Sequence, residues 1–162
     1  MASLQVVLYQ PENPYNTGAV ARTCALFGAD LHLVAPYGFA SVDRDVRRAS
    51  MGYLDQVALV EHCDWSDFVV RTATSPIFAM WDEGTTDLGS VRLDRGTSVV
   101  FGQESIGLPA HITSSYPTVR IPMPGIGELR RADHRVHSLN LSVSVGIVLH
   151  AAWQSQQRGD SP

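Results

Sequence analysis

Short apolar runs recur along the chain at residues 4–9, 31–34, 56–60, 77–80, 97–101 and 119–121. Each is too short for a helix and rich in Val, Leu, Ile or Phe, as expected of strands buried on both faces. Between them the spacing of apolar positions changes to that of helices, over residues 17–27, 65–72 and 109–116, and over a long final segment at 138–157. This alternation predicts an α/β fold with a mostly parallel sheet flanked by helices. The final segment, "SLNLSVSVGIVLHAAW", sets Leu141, Val145, Val148, Leu149 and Ala152 at helical spacing, and Val143 and Ile147 widen the apolar surface. A helix apolar over so much of its circumference asks for burial on more than one side. Two arrangements satisfy it: the protein's own core alone, or the sheet on one side and a second subunit on the other.

Composition narrows the class. With 162 residues and 44% apolar side chains, one domain over 1–157 with a loose tail at 158–162 is expected, without repeats or linkers. No apolar run reaches the length of a membrane span and the first residues lack a signal pattern, so a cytoplasmic protein without membrane contact is expected. Cys24 and Cys63 lack CxxC spacing and read as buried or half-buried thiols. The net charge of −4 argues against a non-specific nucleic-acid coat but leaves room for a local basic patch. All 12 cationic side chains are arginines, clustered at Arg44, Arg47 and Arg48 and again at Arg130, Arg131 and Arg135. Without lysine, Schiff-base chemistry and a P-loop are excluded.

The stretch "PENPYNTGAVART" follows the first apolar run. Its prolines and Asn13 force a loop, Asn16 or Thr17 can cap the helix that follows, and Gly18, Ala19, Ala21 and Ala25 give that helix a small face. Arg22 then falls near the loop, directed toward the carboxyl edge of the strands, where open α/β sheets bind ligands; a solvated helix arginine is the alternative. Three more loops follow strands: "MWDEGTTD", "FGQESIGLP" and "IPMPGIGELRRADHRVHSLN". Gathered at one edge, they would form a pocket of backbone amides, Met80, Ile121, Met123 and Leu139, with Glu104, Ser138 and Asn140 as its polar groups. That composition suits a purine and a ribose. Other signatures fail: Gly125 and Gly127 lack the third glycine of a dinucleotide fingerprint, and "GQESIG" is not a nucleophile elbow. His134 and His137 with Asp133 read as solvated loop residues, and no metal is expected.

In order and spacing, "PENPYNTGAVART", "FGQESIGLP" and "IPM…SLNLSVSVGIVLHAAW" resemble the three motifs of the SPOUT-class RNA 2'-O-methyltransferases. The particular similarity is to the short, single-domain type that methylates the wobble-position ribose of leucine tRNAs, and it covers nearly the whole chain. It implies S-adenosylmethionine as cofactor, bound bent in knotted loops, a tRNA substrate methylated at position 34, and a homodimer using the first and last helices. It also implies a deep trefoil knot in the C-terminal part of the sheet, where chain-topology rules alone favour an unknotted one. Carried over position by position, the resemblance puts Met80, Gly102, Ile121 and Ser138 at cofactor contacts, with Met123 and Leu139 close by. Asn16, Arg22, Glu104 and Asn140 match the polar catalytic residues.

The family assigns an arginine at the Arg22 position as general base. A guanidinium has no acceptor to offer, so an electrostatic anchor for phosphate or alkoxide is expected instead. Glu104 either orients loop amides or contacts ligand. The chain departs from the family between Met123 and Ser138, where its segment is longer and His137 stands where Arg is common. A loop is expected there, its Arg130, Arg131 and Arg135 gripping RNA phosphates beside the pocket, or else simply solvated. Two further functions stay open: 2'-O-methylation at another tRNA position or of rRNA, and a noncatalytic RNA-binding dimer.

Overall fold

The computed structural model describes residues 3–41, 43–73, 75–133 and 138–159. Seven strands form one sheet: β1 (Gln5–Tyr9), β2 (Asp30–Val34), β3 (Leu59–His62), β4 (Ile77–Met80), β5 (Thr86–Asp87), β6 (Ser98–Phe101) and β7 (Thr118–Arg120), in the order β3-β2-β1-β6-β4-β7-β5. Every pairing is parallel. The α/β expectation is borne out.

The two-residue period of a strand explains why the runs are continuously apolar. In β1, Val6 and Leu8 enter one core while Val7 enters the other; in β6, Val99 and Phe101 divide from Val100 in the same way. The first core is closed by α1 (Pro14–Phe27), α2 (Arg44–Ser50) and α6 (Leu141–Gly159), through Val20, Ala21, Cys24, Val46, Val145, Val148 and Leu149. The second is closed by α3 (Trp65–Arg71) and α4 (Ala110–Thr113), through Phe68 and Ile112. A last helix, α5 (Ile126–Ala132), buries no residue.

Several boundaries differ from expectation. Helix α1 starts at Pro14, because Asn13 caps it by accepting the Tyr15 N–H at 2.9 Å and proline suits a first helical position, where its missing N–H has no partner to lose. Asn140 similarly accepts the Ser142 N–H at 2.9 Å, which starts α6 at Leu141 rather than at 138. The strand expected at 56–60 forms later, since Tyr53–Gln56 is a 3-10 turn. The segment expected to loop after Met123 contains α5, and α2 lies in a stretch read only as an arginine cluster. Cys24 is buried, whereas Cys63 is exposed.

The small face of α1 serves a helix crossing. A Cβ on Gly18 would stand 2.4 Å from the Val46 carbonyl oxygen and 2.6 Å from Ala49 Cβ, so only glycine admits α2 at this distance. On α6, Val143 and Ile147 face outward, 48% and 38% exposed, opposite the buried stripe. Among the described residues no helix is long and apolar enough to cross a membrane.

Between β2, β3 and α3 a histidine pair is buried: His32 Nδ1 and His62 Nε2 lie 2.9 Å apart, and the rings stack with centroids 5.2 Å apart beside Phe68. Burial, reinforced by the facing His62, lowers the His32 pKa from 6.5 to about 4; Asp30 opposes the shift. Burial and Arg71 lower that of His62, opposed by Asp67, whose Oδ2 lies 3.4 Å from His62 Nδ1. Both rings are held neutral while the unfolded chain takes up protons below its ordinary value, so stability is present above about pH 6.5 and falls toward pH 4. The slope reaches at most about 1.4 kcal/mol per pH unit for each histidine. Urea unfolding across this window should show that acid limb, and His32→Gln should flatten it; an identical limb in the variant would remove the pair as its source.

Candidate active site

Because all strands run the same way, Tyr9, Met80, Phe101 and Arg120 deliver their following loops to one edge of the sheet. The loops enclose a cavity of about 750 Å³. Met80, Gly102, Ile121, Met123, Ser138 and Leu139 all line it, together with Asn16, Glu104 and Asn140. The loop after β6 turns back on itself: Gln103 and Gly107 exchange N–H to carbonyl bonds of 3.1 and 2.8 Å. The turn is tight enough to fix two glycines. A Cβ on Gly102 would lie 2.1 Å from the Gly107 carbonyl carbon, and Gly107, at φ 73°, would push one to 2.8 Å from the Trp81 ring.

Two carboxylates cross between the first loop and this turn. Glu104 accepts the Glu12 N–H at 2.8 Å, the Asn13 N–H at 3.3 Å and the Asn16 amide at 3.1 Å. In return Glu12 accepts the Ser105 N–H and hydroxyl, both at 2.8 Å. Asn140 Nδ2 donates to Asn16 Oδ1 at 3.0 Å, so one chain of hydrogen bonds runs from the turn through α1 to the start of α6. Of the two roles open to Glu104, loop orientation is visible directly in these amide contacts.

Residues 3–150 match the SpoU rRNA Methylase family. The chain belongs to that family. It is 38% identical over 154 residues to the tRNA (cytidine(34)-2'-O)-methyltransferase of Escherichia coli (strain K12), covering 93% of this chain and 92% of the relative. A solved structure from work on the 2-OH methylation of C/U34 on tRNA superposes with TM-score 0.88 at 37% identity, over 97% of this chain and 98% of the other. An AdoMet-bound rRNA methyltransferase from Sinorhizobium meliloti shares the fold at TM-score 0.81 and 24% identity, over 99% of this chain and 57% of the other. The SPOUT-class resemblance is borne out, and with it an RNA methyltransferase.

In this SpoU methylase the arginines are dispersed. Arg130 lines the cavity and forms an ion pair with Asp82, also in its wall. Arg131 is exposed on α5, and Arg135, like His134 and His137, lies outside the described residues. Arg22 does not line the cavity; its Nη1 is 3.0 Å from Met51 Sδ and its guanidinium carbon 5.5 Å from the centroid of the Tyr53 ring. With α1 starting at Pro14, Arg22 stands more than two turns from the loop. Among the described residues no group of three or more His, Cys, Asp or Glu could hold a metal ion.

Sequence reasoning missed Trp81, Asp82 and Ser105 in the wall, although each lies in a loop it had singled out, and it missed Glu12. A charged residue between two prolines in a turn was the available signal for Glu12. Its carboxylate should matter through Ser105. Glu12→Ala removes both acceptors of the Ser105 bonds, at a net cost of about 1 kcal/mol, and thermal unfolding should fall by about 2–4 °C. In a double-mutant cycle with Ser105→Ala the losses should be non-additive; additive losses would mean that the two side chains do not act on each other.

Proposed function

We propose that this protein transfers a methyl group from S-adenosylmethionine to the ribose 2'-hydroxyl of the wobble nucleotide, position 34, of tRNA, with leucine tRNAs as substrates. The observation that carries the reading is the single-chain cavity built from all three motif loops and closed by the Glu104–Asn16–Asn140 hydrogen bonds. The activity of the Escherichia coli relative, aligned over nearly the whole of both chains, supports the nucleotide. A cytoplasmic homodimer and a deep trefoil knot in the C-terminal part of the sheet belong to the same reading.

The cavity fits the cofactor in volume and in lining. Met80, Ile121, Met123 and Leu139 offer apolar faces to a purine, and the absence of a Cβ on Gly102 lets the 102–107 turn close on itself in the cavity wall. The Asp82, Glu83 and Glu104 carboxylates in the wall favour a cationic ligand, partly offset by Arg130. When bound, S-adenosylmethionine supplies a methyl group activated on a sulfonium. The protein's task is alignment of the attacking oxygen, which Asn16 and Asn140 serve at the cavity wall. Arg22, outside the cavity, acts on the RNA as an anchor for phosphate. Arg131 and Arg135 extend the phosphate grip, and Arg130 joins it by exchanging Asp82 for a phosphate.

Chelator-treated protein should bind S-adenosylmethionine in calorimetry without RNA, and bulk tRNA from a strain lacking the protein should gain one 2'-O-methyl at position 34 by mass-spectrometric mapping. A mark on another tRNA position or on rRNA would reassign the substrate, and binding of RNA with no cofactor would leave a noncatalytic dimer. Arg22→Ala should abolish turnover with cofactor affinity nearly unchanged, and Arg22→Lys should also be severely impaired, since a point charge lacks the bidentate fork. Loss of cofactor binding in either variant would put Arg22 in the cofactor site. Sedimentation at low micromolar concentration should give twice the 17.7 kDa chain mass, as the exposed Tyr15 and Leu26 of α1 and Val143 and Ile147 of α6 require a cover; a fully active monomer would overturn the dimer.

A further inference from the structure

Arginines on most faces of the molecule are paired with carboxylates: Arg71 with Asp67 at 3.5 Å, Arg92 with Asp94 and Arg120 with Asp87 at 2.6 Å, and Arg130 with Asp82. Helix α2 differs. Arg44 and Arg48, four residues apart and therefore on one side of the helix, are exposed and have no ion-pair partner among the described residues. Arg47, beside them, meets Asp55 only at 3.8 Å, with side chains 53% and 72% exposed, a pairing that water screens almost completely.

Arg22 continues this face from α1, since Met51, against which it rests, directly follows α2 and donates its N–H to the Arg48 carbonyl. The partners of Arg22 are a thioether and a tyrosine ring, which hold the side chain without cancelling its charge. The acids of this helix, Asp43 and Asp45, flank Arg44 at its start, where Asp43 caps the helix by accepting the Asp45 N–H, and Arg47 and Arg48 occupy its last turn.

The face is also rigid and adjacent to the cavity. Gly18 locks α2 onto α1, and Val46 and Ser50 are fully buried beneath the arginines. The same α1 carries Asn16 in the cavity wall, six residues before Arg22, or about 9 Å along the axis. A nucleotide presented at the mouth of the cavity continues on both sides into a polyanionic backbone, which the net charge of −4 does not by itself attract.

We propose that the α2 face of Arg44, Arg47 and Arg48, continued by Arg22, is a docking surface for the sugar–phosphate backbone of the RNA flanking the nucleotide presented at the mouth of the cavity. The inference rests on an RNA substrate, as in the proposed function. It adds a second contact region apart from the α5 arginines. The contacts are charge contacts to phosphate, so they set affinity and register rather than base sequence.

The test is a salt titration of tRNA binding by the full chain, comparing the parent with Arg44→Ala/Arg48→Ala and Arg44→Lys/Arg48→Lys. Each phosphate contact contributes about 0.7 to 0.9 to the slope of log affinity against log salt. The Ala pair should lower that slope by about 1.5 and weaken binding at least tenfold near 0.1 M salt, for bulk tRNA and for an unrelated RNA alike. The Lys pair should keep most of the slope, because backbone attraction needs only charge. Calorimetric affinity for S-adenosylmethionine should be the same in all three proteins. An unchanged slope in the Ala pair overturns the proposal and leaves the face to some other acidic partner, and a Lys pair as weak as the Ala pair overturns the backbone contact. Should the parent bind RNA but no S-adenosylmethionine, the proposed function fails while the slopes still decide this surface.

Discussion

All seven strands run parallel, and that constraint organises everything else. Each connection must return along a face of the sheet, which buries both faces under helices and splits the strand side chains between two cores. It also delivers the carboxyl ends of β1, β4, β6 and β7 to one edge, where loops with backbone N–H groups to satisfy are crowded together. Glu104 and Glu12 satisfy those groups reciprocally, each loop capping the other. The cavity is thus a consequence of sheet direction, held to its shape by two carboxylates and by glycines that tolerate no Cβ.

The charge distribution divides the molecule in the same way. Toward the cavity, the acids of the wall and the Asp82–Arg130 pair make a site fitted to a small cationic ligand. Over α1 and α2, Arg22 rests on neutral partners, Arg44 and Arg48 have no ion-pair partner among the described residues, and Arg47 meets Asp55 only at 3.8 Å, which leaves positive charge largely uncompensated. The arginines of this acidic protein are thus compensated unevenly, which net charge alone hides.

How much of this was legible along the chain depended on the range of the interaction responsible. Strands were readable because burial on both faces demands an unbroken apolar run, and β1, β4 and β6 lie within such runs. Helix starts were less so: Asn16 or Thr17 was expected to cap α1, whereas Asn13, read only as a loop residue, does so by accepting the Tyr15 N–H. The helices α2 and α5 escaped because each is seven residues long and dominated by charge, and α5 has no buried residue to write a period into the sequence. Of the cavity residues, Met80, Ile121 and Ser138 were named from the loops that follow strands, and Gly102 only through the motif resemblance, which records which positions converge without giving the physical route.

By itself, then, the sequence determined the α/β class, the apolar strands, the wide apolar surface of α6 and the three motifs that mark the family, since these depend on local composition, period and order. The tertiary structure alone decided which polar groups meet. Glu12 and Ser105 are 93 positions apart, Asn16 and Asn140 are 124 apart, and the fold brings each pair within 3.0 Å or less. It also decided that Gly18 serves a crossing helix, that Arg130 is bound to Asp82, and that Arg22 stands outside its own chain's cavity. Such contacts depend on strand order and helix crossing, which no local pattern encodes.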